Sequence, residues 1–193
     1  MRMLITGSPG CGKTTFCRKI VDSARLDGAR VGGVLAPAVH FDGYHIGADA
    51  VDLATGRSAP ATRLACDDAV RACHGSRWVI MRQGLDLARA ALEQAIRQRF
   101  DLIVVDEFGP LELAGGGIRQ EATDAWTSGR DVLLVARAAV ADEAIRALGR
   151  PPDLRMVPEA PPIGRGYAID GLTAGIALVR GHERPALVAL ARA

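Results

Sequence analysis

The sequence predicts an α/β fold, a mostly parallel sheet flanked by helices, and three stretches carry that reading. The apolar run over residues 1–6 leads straight into Gly7-Ser8-Pro9-Gly10-Cys11-Gly12-Lys13-Thr14, which has the G-x-x-x-x-G-K-[ST] spacing of a phosphate-binding loop. Leu102-Ile103-Val104-Val105 is continuously apolar and ends in Asp106-Glu107, the pattern of a central parallel strand buried on both faces. Around these runs, strand-like and helix-period segments alternate, which implies parallel strands joined by helices and a ligand at the carboxyl ends of the strands.

Taken in order, residues 1–6 form the first strand, and the chain begins with its phosphate loop. From Lys13 to about Ala24, Phe16, Cys17, Ile20, Val21 and Ala24 share one face at helical spacing while Arg18, Lys19 and Asp22 face away. Residues 31–39 are β-rich, Phe41-Asp42-Gly43 is a turn, and residues 44–53 alternate as a returning strand closed by Thr55-Gly56. The expectation is therefore a β-hairpin excursion after the first helix. Residues 60–76 read as helix or loop, residues 77–82 as a short strand, and Leu85, Ala88, Leu92, Ile96 and Arg99 mark the next helix. Past the Asp106 strand, Gly115-Gly116-Gly117 is a flexible joint before a helix over about 118–128. Residues 132–136 are another buried strand, and a helix follows over about 139–148. Pro151-Pro152 and Pro161-Pro162 punctuate a looser stretch, and residues 172–179 with 185–191 are expected to supply one or two closing helices.

Composition narrows the class. A chain of 193 residues is expected to be one domain, burying roughly 70% of its unfolded surface, with ordinary apolar (49%) and charged (24%) contents that exclude disorder. A net charge of +2, with arginines scattered along the chain, gives no footprint for nucleic acid. No apolar stretch reaches the ~20 residues of a membrane helix. Cys11, Cys17, Cys66 and Cys73 contain no C-x-x-C pair and no secretory leader precedes them, so a reducing, cytoplasmic setting is expected. Cys66, Cys73 and His74 match no common zinc spacing and read as packing or surface residues.

The chemistry is concentrated in two motifs. Backbone N–H groups of Gly7, Ser8, Pro9 (which lacks one), Gly10, Cys11, Gly12, Lys13, Thr14 and Thr15 are placed to surround phosphate oxygens at a helix N-terminus. Lys13 is one of two lysines against 22 arginines, so a compact ammonium is kept where a planar guanidinium would not serve. Thr14 is expected to place its hydroxyl on Mg²⁺, and Asp106 to hold the same ion from its strand end. Glu107, directly after Asp106, is the candidate to orient or deprotonate an attacking water. Glu112 is open between a salt-bridged loop acid and a role near the nucleotide. Arg57, Arg63 and Arg137 are candidates to stabilise the transferring phosphoryl group, Arg137 foremost because it follows an apolar strand. Cys11 lies at a permissive loop position where packing is the default role. No [NT]-K-x-D guanine-reading motif occurs, which disfavours a Ras-type GTPase.

Over about residues 1–137 the chain resembles the THEP1-type nucleoside-triphosphatases. The resemblance rests on the Gly7 to Thr14 loop with Thr15, on Val31-Gly32-Gly33-Val34 leading to Val51-Asp52-Leu53-Ala54-Thr55-Gly56-Arg57, and on the string D-L-I-V-V-D-E-F-G-P-L-E-L over 101–113. It implies a RecA-like P-loop NTPase core and Mg²⁺-dependent hydrolysis of ATP, GTP and other nucleoside triphosphates to diphosphate and phosphate. It also implies Asp106 as the Mg²⁺ partner and Glu107 as the water-activating residue. The segment from about 150 to 193 departs from the family, which usually closes with an Asn-Arg pair; this chain has no asparagine. Alongside hydrolysis stand a small kinase with residues 40–75 as an acceptor lid, and a nucleotide-dependent accessory protein whose apolar tail and triple glycine meet a protein partner.

Overall fold

The computed structural model describes residues 1–65 and 78–158. In chain order the elements are β1 (Arg2–Gly7), α1 (Lys13–Leu26), β2 (Val31–Leu35), β3 (Ala38–Phe41), β4 (Tyr44–Asp52), β5 (Ser58–Leu64), β6 (Trp78–Ile80) and α2 (Arg82–Arg97). There follow β7 (Leu102–Phe108), α3 (Pro110–Leu113), α4 (Arg119–Thr127), β8 (Asp131–Arg137), a 3₁₀ turn (Ala138–Val140), α5 (Ala141–Leu148) and β9 (Leu154–Met156).

The nine strands of the described residues join one sheet in the order β6-β5-β4-β2-β7-β8-β1-β9, with β3 paired to β4 outside that path. The strands β2, β7, β8, β1 and β9 run parallel. Ile103, Val104, Val105 and every residue from Val132 to Ala136 are fully buried, as strands covered on both faces require. Alternation along the strands divides the core in two. Leu4, Ile103, Val105, Val132 and Leu134 pack with Leu92 of α2, Trp126 of α4 and Ala144 of α5. Met3, Ile5, Val104, Leu133 and Val135 pack with Cys17, Ile20, Val21 and Ala24 of α1. This is the flanked, mostly parallel architecture that the apolar runs predict, and β8 stands between the strand of the phosphate loop and the strand of Asp106.

The excursion after α1 is larger than a hairpin. β3 and β4 form the expected hairpin, with Asp42 (φ 48°) and Gly43 (φ 77°) both left-handed as a tight turn demands. The β-rich run 31–39 does not stay one strand: it breaks at Ala36-Pro37, because a proline has no N–H for the ladder. Residues 60–64, expected as helix or loop, are the greater part of β5, which pairs with β4 on one side and β6 on the other. Pro60 masked that strand; it sits beside a register shift, where a missing donor is tolerated. β9 lies in the stretch read as loose, and three residues held against Met3, Leu4 and Ile5 are too short a run to show periodicity. Cys66, Cys73, His74 and the one or two expected closing helices lie outside the described residues. Among the described residues no helix is long and apolar enough to cross a membrane.

Candidate active site

β1 delivers the chain to the phosphate loop at Gly7, and α1 starts at Lys13, so five residues make the connection. Gly10 (φ 79°) and Gly12 (φ 87°) turn the loop through left-handed conformations that side chains resist. Gly12 is the N-cap of α1 and no side chain caps the helix, which leaves its first-turn N–H groups free of side-chain competition. Lys13 is buried and folds back over the loop, its Nζ donating to the carbonyls of Gly7 (3.2 Å) and Ser8 (3.0 Å). A side chain on Gly7 would meet Cys11 Sγ at 2.5 Å, so the buried Cys11 side chain packs against the loop. Ser8, Pro9, Gly10 and Thr15 are exposed, and Thr14 is half-buried.

Asp106 ends the regular part of β7 and is only 4% exposed. Its Oδ2 accepts the Ala36 N–H at 3.0 Å, a donor made available where Pro37 ends β2. Burial pushes the Asp106 carboxyl up to about 7; the Ala36 N–H opposes this, Glu107 adds to it, and the Thr14 hydroxyl hydrogen bond and Lys13 draw it down. Beneath it, burial and then the charge of Asp106 raise the Cys17 thiol well above its usual range. A buried carboxylate beside a threonine hydroxyl, with its charge incompletely compensated, is hard oxygen chemistry that fits Mg²⁺. No group of three or more His, Cys, Asp and Glu side chains suited to a metal occurs among the described residues.

Glu107 stands in a bulge. The β7–β8 register passes from Asp106 opposite Val135 to Phe108 opposite Ala136, leaving Glu107 as the extra residue, turned out of the ladder. Its Oε1 accepts from Arg137 Nε at 2.9 Å, from the end of the neighbouring strand. Of the three candidate arginines only Arg137 reaches these residues. Arg63 is taken up by Asp49 and by the carbonyls of Ala48 and Thr62, and Arg57 is exposed in the turn between β4 and β5.

Among the described residues Glu112 forms no salt bridge; it is a structural clamp. Its Oε2 accepts the Gly109 N–H at 2.9 Å and its Oε1 the Ile118 N–H at 3.3 Å, tying the two ends of the loop that follows Glu107. Burial pushes its carboxyl up, and those N–H groups pull it back. Gly117 (φ 59°) is forced by this clamp, since a Cβ there would lie 2.0 Å from Glu112 Oε1. The Asp52-Leu53-Ala54-Thr55-Gly56 string is likewise a turn device: Asp52 accepts the Ala54 N–H (2.9 Å) and the Thr55 hydroxyl (2.5 Å). Sequence reasoning missed the Ala36 N–H, whose one signal was a proline interrupting a β-rich run.

A family model described as "NTPase" matches residues 2–158. The nucleoside-triphosphatase THEP1 of Methanothermobacter thermautotrophicus is 31% identical over 156 residues, covering 81% of this chain and 85% of that protein. The THEP1 of Ignicoccus hospitalis is 29% identical over 153 residues, covering 77% and 82%. Among solved structures, THEP1 from Aquifex aeolicus superposes with a TM-score of 0.62 at 24% identity, over 84% of this chain and 91% of that one. A human cancer-related nucleoside triphosphatase gives 0.61 at 23%, over 84% and 89%. These two likenesses are of fold. With the family model spanning most of its length, and a relative of this identity and coverage, the chain belongs to the nucleoside-triphosphatase THEP1 family.

Proposed function

We propose that this nucleoside-triphosphatase hydrolyses ATP, GTP and other nucleoside 5′-triphosphates to the diphosphate and phosphate with Mg²⁺, and that Glu107 serves the attacking water. The observation that carries this is the bulge, which turns a carboxylate out of the sheet one residue after the buried Asp106 and two strands from the phosphate loop. The N–H groups at the start of α1 and the Lys13 ammonium bind and orient the β- and γ-phosphates, Lys13 exchanging its loop carbonyls for phosphate oxygens. Thr14 and Asp106 would hold Mg²⁺, which when bound offsets phosphate charge. Glu107 orients a water in line with the γ-phosphorus and accepts its proton as the new P–O bond forms and the bond to the β–γ bridging oxygen breaks. We place the reaction in the cytoplasm, a setting supported by the free thiols of Cys11 and Cys17 at the site.

The test is phosphate release from a panel of triphosphates with Mg²⁺ and no acceptor. Glu107→Gln is expected to lower kcat by roughly a hundredfold or more while triphosphate still binds. Full turnover by that variant would remove Glu107 from the mechanism.

A further inference from the structure

Arg137 is the last residue of β8, the strand that links β1 to β7. On one side it is in register with Gly7, where the phosphate loop begins. On the other its guanidinium crosses to the bulged Glu107. Nε donates to Oε1 at 2.9 Å and Nη2 lies 2.9 Å from the same oxygen. Neither Nη1 of Arg137 nor Oε2 of Glu107 has a partner among the described residues, so each group keeps capacity for a further ligand. The two side chains are 50% and 29% exposed. An ion pair this accessible to water is weakly held, and exchanging it for a better partner costs little.

A terminal phosphate is such a partner. It carries more charge than a carboxylate, and a guanidinium fork matches its oxygens. The same phosphate would lie near Glu107, and two anions at close range repel unless a cation stands between them. We propose that Arg137 is a latch on Glu107: it holds the carboxylate while no triphosphate is present, then transfers its N–H groups to the γ-phosphate and releases Glu107 to the water. The step is an exchange of hydrogen bonds, with no covalent bond made or broken. Arg137 is thereby a binding residue for the γ-phosphate and a positioning residue for Glu107. The inference rests on the reading of Glu107 as the residue that serves the water.

The experiment is a binding cycle on the full chain with Mg²⁺, using a triphosphate analogue with an imido β–γ bridge and, in parallel, the diphosphate. Arg137→Ala is expected to weaken the analogue roughly tenfold, one hydrogen-bonded charge contact, and to leave the diphosphate within about twofold. Glu107→Gln frees the latch and is expected to tighten the analogue by roughly fivefold, a gain that disappears in the double variant. Arg137→Lys, which keeps the charge but not the fork, is expected to fall between. An equal gain from Glu107→Gln with and without Arg137 would mean simple charge repulsion and would overturn the latch. So would equal losses of analogue and diphosphate in Arg137→Ala. Should that variant fail to fold, Arg137→Gln and Arg137→Lys answer the same question. Because the readout is binding, full turnover by Glu107→Gln would defeat the hydrolytic assignment of Glu107 while these affinities still judged the exchange.

Discussion

Asp106 is almost completely enclosed, yet its hydrogen-bond partners are one backbone N–H and the Thr14 hydroxyl. Its carboxyl therefore titrates near 7 where the ordinary value is 3.8. A raised acid pKa means that the fold favours the protonated form. The protein without metal or nucleotide is thus most stable, as far as this group is concerned, below about pH 4, and loses stability as pH rises through 7. Asp106→Asn keeps an oxygen for the Ala36 N–H and removes that penalty. Its melting temperature is expected to exceed that of the parent by a margin that grows from pH 5 to pH 8, a gain on the order of a few kcal/mol at the upper end. A margin independent of pH would show that Asp106 is ionised at ordinary pH. A carboxylate left undercompensated in the ligand-free protein is the kind that gains the most from a cation. Lys13, Asp106 and Glu107 could each be named as candidates from sequence, because the phosphate loop and the apolar run ending in two acids have few other uses. Arg137 could be named as a candidate because it follows an apolar strand, but its pairing with Glu107 could not, and Ala36 was not selected at all, because each meets its partner only through the sheet.

Among the elements, the segment from Gly109 to Ile118 shows how the loop that follows Glu107 is tied at both ends. Glu112 accepts an N–H from each end, and Arg119 Nη1 donates to the carbonyls of Glu112 and Leu113. Gly117 is the position this arrangement cannot spare. Gly117→Ala combines a left-handed backbone with a Cβ 2.0 Å from Glu112 Oε1, so the clamp must open. Losing a buried hydrogen bond and straining the turn is expected to cost about 2–4 kcal/mol in urea unfolding, with kcat falling more than KM rises. Unchanged stability would show that the clamp is dispensable. The triple glycine was expected to be a flexible joint, and its last member is packed against the clamp; Glu112 was left between two roles and took a third. A capping carboxylate and a ligand-facing one look alike in sequence, since only the direction of the side chain separates them. β5 was missed for a related reason: its pairing with β4 and β6 overrides a composition of Ser, Ala and Pro that favours no strand.

At the scale of the whole molecule the sheet separates two cores that share strands but not side-chain faces. Leu92 of α2 packs in one and Ile20 of α1 in the other, so damage to either is expected to stay local. Leu92→Ala and Ile20→Ala are each expected to cost about 2–5 kcal/mol. Their double variant should sum the two within about 0.5 kcal/mol, measured by denaturant titration. A larger departure would mean that strain passes through the sheet. The site lies where β1, β8 and β7 end side by side, and this neighbourhood explains what could and could not be read in advance. The sequence by itself determined the phosphate loop, the buried strands and the fold class, because each is a contiguous pattern whose physics is local: glycines at a turn, apolar runs, a helix face. Only the tertiary structure decided that β8 lies between the two motifs, that Glu107 is turned out by a bulge, and that Arg137 stands next to it. Strand order and register arise from contacts between segments far apart in the chain, and no window of sequence contains both partners.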